Sequence, residues 1–534
     1  MRDAQAQTEC IQTSFEFQDL ESRKVVVDFS GGHLSSDGGT LLLREVDLRL
    51  GLCEQLAGCF DDRREERFVE HRLQTLIAQR VLGLALGYED LNDHDALRVD
   101  PLLAAGCGCG DVLGESRRRD EDKGKPLAGK STLNRLELGT VKPAPAPAAD
   151  TGGTDTNTSA TSSPGAGPYR KIRPDPAKIE SLLVSLGSAQ IPADTRVVVL
   201  DFDATDDPLH GEQEGRFYNG YYKSYCYLPL YCFCGDIPMW AELRGSDKDA
   251  STGTREALEK IVAELRAHLG DGVRIIVRGD SGFCRDPIME WIEAQPRVHY
   301  CLGLARNPRL QRLLGPALAQ AHDDLCHHEI GGCAMIAEAP APARENGSAR
   351  RFAELRYRTL DSWTRERRVV GKAEVLACGK ENPRFIVTDI SGEEEWAAGV
   401  PELRDGRALY EEFYCARGDM ENRIKEQQLD LFSDRTSTGQ MASNQLRLWF
   451  STFAYMLVRG LRTEALAGTA LAKATAGTIR TRLMKVAAHI EVSVRRIRVR
   501  LASACPMAGV FAAAHRKLCG PPEPPWKPAG AGAT

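Results

Sequence analysis

Two apolar runs that each end on an aspartate constrain this chain more than any other feature. They are RVVVLDFDAT (196–205) and VRIIVRGDSGF (273–283). Both read as strands, so a sheet would bring Asp203 and Asp280 to one of its edges, where catalytic acids sit in open α/β folds. Far downstream, YEEFYCARGDMENRIKEQQLDLF predicts a helix with Tyr414, Arg417 and Glu421 at i, i+3 and i+7, a single face. Three carboxylates from separate elements suit a hard divalent cation, because Mg²⁺ takes a few carboxylates and completes its octahedron with phosphate and water. The pattern points to a metal-dependent phosphodiester enzyme.

Around those runs the sequence divides by composition. Residues 1–142 predict a mainly helical, DNA-binding domain. It opens with the strand-like KVVVDF and a helix in SSDGGTLLLREVDLRL capped by Ser35 or Ser36. A second helix carries the stripe Val69, Leu73, Leu76, Ile77 and Leu84, and GYEDLNDHDALR adds a turn and a short helix. A helix-turn-helix and a plain bundle both fit this pattern. Residues 143–168, PAPAPAADTGGTDTNTSATSSPGAGP, cannot bury enough apolar surface to offset ordering and read as a linker.

Strands then alternate with a helix over 251–268, whose Leu258, Ile261, Val262 and Leu265 share a face. This predicts an α/β core with a mixed sheet flanked by helices, spanning 190–307 and 401–460. The stretch from Asp280 to Glu421 is too long for one connection. RRFAELRYRTL, RVVGKAEVLAC and RFIVTDI read as strands within it, so a β-rich insertion is expected over 308–400. A basic C-terminal region follows over 461–520, and GPPEPPWKPAGAGAT is expected to be disordered.

The net charge of −6 argues against a uniformly basic nucleic-acid binder, so any polyanion footprint must be local. The C-terminal region supplies one: Arg480, Arg482, Lys485, Arg495, Arg496, Arg498 and Arg500 stand against Glu491 alone between 480 and 500. In IEVSVRRIRVRLA a strand would align Arg496, Arg498 and Arg500 as a stripe suited to phosphate, with Arg495 beside it. No apolar run has transmembrane length, and the amino terminus lacks a secretory pattern. The expectation is a soluble, cytoplasmic protein with no membrane partner.

Sixteen irregularly spaced cysteines read as reduced thiols. Cys107/Cys109, Cys232/Cys234 and the patch His322, Cys326, His327, His328, Cys333 lack the paired C-x₂-C of a zinc module. GKPLAGKST fits the P-loop spacing at Gly124, Gly129, Lys130 and Ser131. The preceding GESRRRDEDKGK cannot form the buried strand that such a loop needs, so a helix capped by Ser131 or Thr132 is expected instead.

Four acids crowd the first run. Asp201 and Asp203 share a strand face, and Asp206 and Asp207 are expected in the turn before Pro208. Asp203 is preferred by its place at the strand end, with Asp201 its rival. Together DFDATDD, RGDSGF and YCARGDMENRIKEQQ resemble the three blocks of a DDE transposase of bacterial insertion sequences. SSDGGTLLLREVDLRLGL, ALGYEDLNDHDALR, LAGKSTLNRLE and ATDDPLHGEQEG are most similar to its thirteen-eighty group, over most of the chain. In that family the last block is Tyr, Arg, Glu and then Lys seven positions on; Tyr414, Arg417 and Glu421 match, whereas position 428 is Gln. Lys425, one turn after Glu421, could reach a phosphate instead.

The resemblance implies a ribonuclease H-like core in which Asp203, Asp280 and Glu421 hold two Mg²⁺ ions, with Mn²⁺ as a substitute. It also implies cleavage at the element ends and joining of the 3′-hydroxyl to target DNA. The partners would be double-stranded DNA, both terminal repeats and target, and a second copy of the chain in the DNA complex. Tyr414 and Arg417 would position phosphates, with Arg278 and Lys223 as weaker candidates. A nuclease of the same fold, or a catalytically inactive transposase-derived DNA-binding protein, is the alternative.

Overall fold

The computed structural model describes residues 14–138, 171–330, 347–391, 395–398, 400–403 and 405–520. The segment 143–168, Cys333, the side chains of His327 and His328, and the terminal residues beyond 520 lie outside what is described.

At its centre stands an eight-stranded mixed sheet flanked by helices. The strand order is Ile237–Glu242, Leu230–Cys234, Val197–Ala204, Arg274–Gly279, Val298–Leu304, Arg384–Thr388, Arg367–Val375, Ala349–Tyr357. The three central strands are parallel and every other pairing is antiparallel. Period-2 alternation supplies apolar residues to both faces. Ile275, Val277, Val369 and Val387 join one core with the helices Thr254–Leu269, Asp286–Ala294 and Pro308–Ile330. Ile276, Val370 and Ile386 join another with Leu409, Tyr410 and Phe413.

The strands between Asp280 and Glu421, where a separate β-rich insertion is expected over 308–400, extend this same sheet through the Cys301↔Thr388 pairing, and residues 308–330 are helical. Their apolar residues fall on both faces, as continuation of a two-sided sheet requires. Nor do the N-terminal and C-terminal regions pack separately. The buried helix Leu73–Ala85 joins one helical core with Met441–Gly460, Leu461, Leu483 and Leu518.

Leu73–Ala85 is buried at every position from Leu76 to Ala85, and the short helix after it covers only His94–Leu97. Leu73–Ala85 thus packs as a helix of a buried bundle. The first helix begins at Thr40 rather than after Ser35 or Ser36, with Gly39 at its start and no side-chain cap. The reason is close packing. A Cβ on Gly38 or Gly39 would meet the backbone of Val486 or Met484 at 2.6 Å, and the two glycine amides donate to Val486 and Met484 carbonyls.

The P-loop-like segment is no phosphate loop here. No strand precedes it, only a turn at Asp120–Asp122, and its helix runs Lys130–Glu137. Neither Ser131 nor Thr132 caps that helix. The Asp95 carboxylate accepts from the Lys130 amide and pairs with the Lys130 ammonium at 3.2 Å, so an anion of this chain already sits at the helix start. All cysteines among the described residues are free thiols.

Candidate active site

Parallel register places the first two acids. Arg278 lies opposite Asp201 and Gly279 opposite Phe202, so one step further both strands reach their acids, Asp280 and Asp203, side by side. The pairing around them separates Asp201 from Asp203. Arg278 clamps both Asp201 oxygens, Nε to Oδ1 at 2.6 Å and Nη2 to Oδ2 at 2.7 Å, and Asp201 is 3% exposed. A bidentate guanidinium leaves that carboxylate little capacity for another ligand.

Arg278 also fixes the third acid. Its Nη1 donates to the Phe413 carbonyl and its guanidinium stacks 4.9 Å from the Phe413 ring, tying the sheet to the segment that leads to Glu421. That segment is not one regular helix. Leu409–Tyr414 is wound as a π-helix, Cys415–Arg417 tightens to 3₁₀, and Gly418–Leu431 is α-helical. Wide turns of this kind recur at functional sites because they re-aim side chains. Arg417 and Glu421 end one above the other, Nη2 to Oε1 at 3.2 Å, while Arg417 Nη1 reaches Asp203 Oδ2 at 3.5 Å.

Asp203 and Glu421, from opposite ends of the core, thus meet on one guanidinium. The Asp280 carboxylate accepts from the Gly282 amide at 2.7 Å and lines a cavity of about 390 Å³ with Tyr414, Gly303 and Arg306. Gly303 permits the approach of Tyr414, since a Cβ there would lie 2.5 Å from its hydroxyl and 3.1 Å from the Asp280 carbonyl carbon.

The electrostatics follow from that crowding. Burial pushes the Asp203 carboxyl up to about 6; Asp280 and Glu421 add to the rise and Arg417 opposes it. The Arg417 guanidinium is held above its ordinary value against its own burial by Asp203, Tyr414, Asp280 and Glu421. Burial raises the Tyr414 phenol to about 12. The donor set is all carboxylate oxygen, the kind a hard divalent ion takes, and the deficit of positive charge at Asp203 is what such an ion would relieve. As arranged, Arg417 bridges two of the acids, and among the described residues no three acid, histidine or cysteine side chains stand together at metal-holding spacing.

Of the other candidates, Lys425 is exposed on the Glu421 helix, and Gln428 at the departed lysine position donates to the Asp206 carbonyl at 3.4 Å. Lys223 is exposed in a turn at φ +56°. Arg496, Arg498 and Arg500 are exposed on the strand Arg496–Leu501, with Arg495 in the turn before it and Arg500 paired to Glu491 at 3.1 Å.

Two residues carry more than their sequence setting suggests. Tyr222 faces the acids: its phenol is raised to about 12 by burial and then by Asp206, Asp203 and Asp280. Its place in the aromatic run GYYKSYCY was the available signal, which reads equally as a strand. Asp207, expected in a turn, is 1% exposed in a two-residue strand, with neither oxygen hydrogen-bonded; burial raises it to about 9.

No curated protein matches this chain. Among solved structures, a chain of the cryo-EM structure of the piggyBac transposase synaptic complex with hairpin DNA is similar at 11% identity, over 83% of this chain and 79% of that one, with a TM-score of 0.37. A family model described as "Transposase DDE domain group 1" matches residues 17–520. The chain belongs to that DDE transposase family.

Proposed function

We propose that this chain is a DNA transposase of bacterial insertion sequences, of the thirteen-eighty group and with a ribonuclease H-like core, which cuts the ends of its element and joins the freed 3′-hydroxyl to target DNA. The observation that carries this reading is the convergence of acids: Asp203 and Glu421 share Arg417, and the parallel register sets Asp280 beside Asp203. Family membership supports the same chemistry.

Asp203, Asp280 and Glu421 would hold magnesium. When bound, two such ions supply Lewis acidity to the attacking and leaving oxygens of an in-line displacement at phosphorus. The chain's own residues do the rest. Arg417, which bridges Asp203 and Glu421, would be placed to take a phosphate oxygen beside Glu421. The Tyr414 hydroxyl stays protonated at neutral pH and can donate to a phosphate at the Asp280 side. Arg278 keeps Asp201 neutralised and the Glu421 segment docked, so that the three acids hold their spacing.

The test uses the full chain, magnesium and a DNA fragment carrying the repeats that flank its own gene. Asp203→Ala, Asp280→Ala and Glu421→Ala should each abolish cutting, by about a thousandfold or more for loss of a charge-stabilising group, while gel-shift binding of the fragment persists. Retained cutting in any one of them removes that residue from the site. Products cut but never joined to a target plasmid would make the protein a nuclease.

A further inference from the structure

A second site of opposite charge lies in the N-terminal half, and it contains none of the residues of the acidic edge. Here a cavity of about 980 Å³ is lined by Arg98, Arg117, Arg118, Arg119, Lys125 and Arg135, among others. Its lining holds eight arginines and lysines against four acids, on a chain whose net charge is −6. The lining acids are paired, Asp122 with Arg98 at 3.1 Å and Glu70 with Arg117 and Arg118 at 3.8 Å each, but four acids against eight cations leave the wall a surplus of positive charge.

The cleft is also built, not incidental. Arg117 is inserted between segments, donating to the carbonyls of Glu70, Lys125 and Pro126. Gln79 exchanges hydrogen bonds with both backbone groups of Ala128, fixing the loop that forms one wall. Beside that loop His71 is driven down to about 4 by burial and then by Arg117, Arg98 and Arg64, as expected for a pocket of positive potential. At the lining stands Phe68, 62% exposed, with the Arg67 and Arg118 guanidiniums 4.8 and 6.0 Å from its ring centre. An exposed aromatic among arginines is the arrangement that single-strand binders use: cations follow the phosphates and a base stacks on the ring.

We propose that this cleft binds single-stranded DNA, its phosphodiester backbone along Arg118, Arg119 and Arg135 and one unpaired base on Phe68. The inference rests on the transposase reading for the identity of its ligand, and it assigns the strand a place away from the acids that would cut it.

The experiment measures fluorescence anisotropy of a labelled dT₂₀ strand, and of a duplex of the same length, against the full chain in EDTA across a salt series. Arg118, Arg119 and Arg135 lie on the surface, so the triple variant to Glu should melt as wild type does. It should bind the strand at least tenfold more weakly, with the slope of log K against log salt shallower by about two, near 0.7 per lost phosphate contact. Phe68→Ala should weaken strand binding about tenfold with the slope unchanged, in the range for one stacked base, and Phe68→Trp should restore it. Duplex binding should not respond to Phe68→Ala, and inorganic tripolyphosphate should displace the strand only at millimolar levels. Wild-type affinity in the triple variant, or equal effects of Phe68→Ala on strand and duplex, overturns the proposal. Magnesium-dependent cutting by the wild-type chain is scored separately. Cutting with an inert cleft sinks this inference alone, and strand binding without cutting sinks the transposase reading alone.

Discussion

Asp203 is a half-buried acid held against Arg417. A carboxyl raised to about 6 from an ordinary 3.8 makes folding less favourable as pH climbs through that interval, because the charged form is penalised only in the native state. Its contribution is therefore fully present below about 4 and lost above about 6. Asp203→Asn removes the charge, so in EDTA at pH 8 this variant should be the more stable by on the order of 1–3 kcal/mol, and at pH 4 the two should coincide. Saturating magnesium should raise the wild type at pH 8 and leave the variant where it was. Urea unfolding at both pH values, with and without the metal, checks this; equal stability throughout would mean that Asp203 is not the strained member of the set. The same carboxyl must ionise before it can ligate, so magnesium-dependent cutting should rise as pH passes through about 6.

Among elements, the strand that carries Asp280 and the segment that carries Glu421 depend on one another through Arg278. Arg278→Met strands Asp201 as an unpaired buried charge and should cost about 3–5 kcal/mol. Adding Asp201→Leu should recover part of that loss, since an apolar pair in place of a buried ion pair is tolerated. Chemical denaturation of the single and double variants measures the recovery, and none would mean that the clamp acts only through Phe413.

This element scale is also where the sequence was most and least legible. Apolar runs ending on Asp203 and Asp280 announce their strands, because β-branched periodicity is local. The i, i+3, i+7 spacing correctly puts Arg417 over Glu421, yet the π-wound turns at Leu409–Tyr414 carry no local signature. Asp201 and Asp203 look alike in sequence, and only the parallel register, a long-range property, gives Asp201 to Arg278. Ser35 and Ser36 read as caps, but close packing by Met484 and Val486 from the far end of the chain moved the helix start to Gly39.

For the whole molecule, the same long-range stitching recurs at Glu137. Its buried carboxylate takes Arg80 and Arg447, each at 2.6 Å, one from the early helix Leu73–Ala85 and the other from the late helix Met441–Gly460. Glu137→Ala leaves the buried Arg80 and the half-buried Arg447 without their shared anion and should cost about 3–5 kcal/mol. Because the helices it joins share one core, loss of helix by circular dichroism and exposure of Trp449 by fluorescence should move together in that variant. Two separated transitions would show that the halves fold on their own. A core assembled from residues so distant in sequence also closes late, since every contact must first bring remote segments together. The glycines at 38 and 39 wait for Met484 and Val486, which are synthesised far later in the chain. A copy of the gene interrupted anywhere before that point therefore yields a polypeptide whose opening helices keep bare apolar flanks, fit for a protease rather than for competing with intact protein.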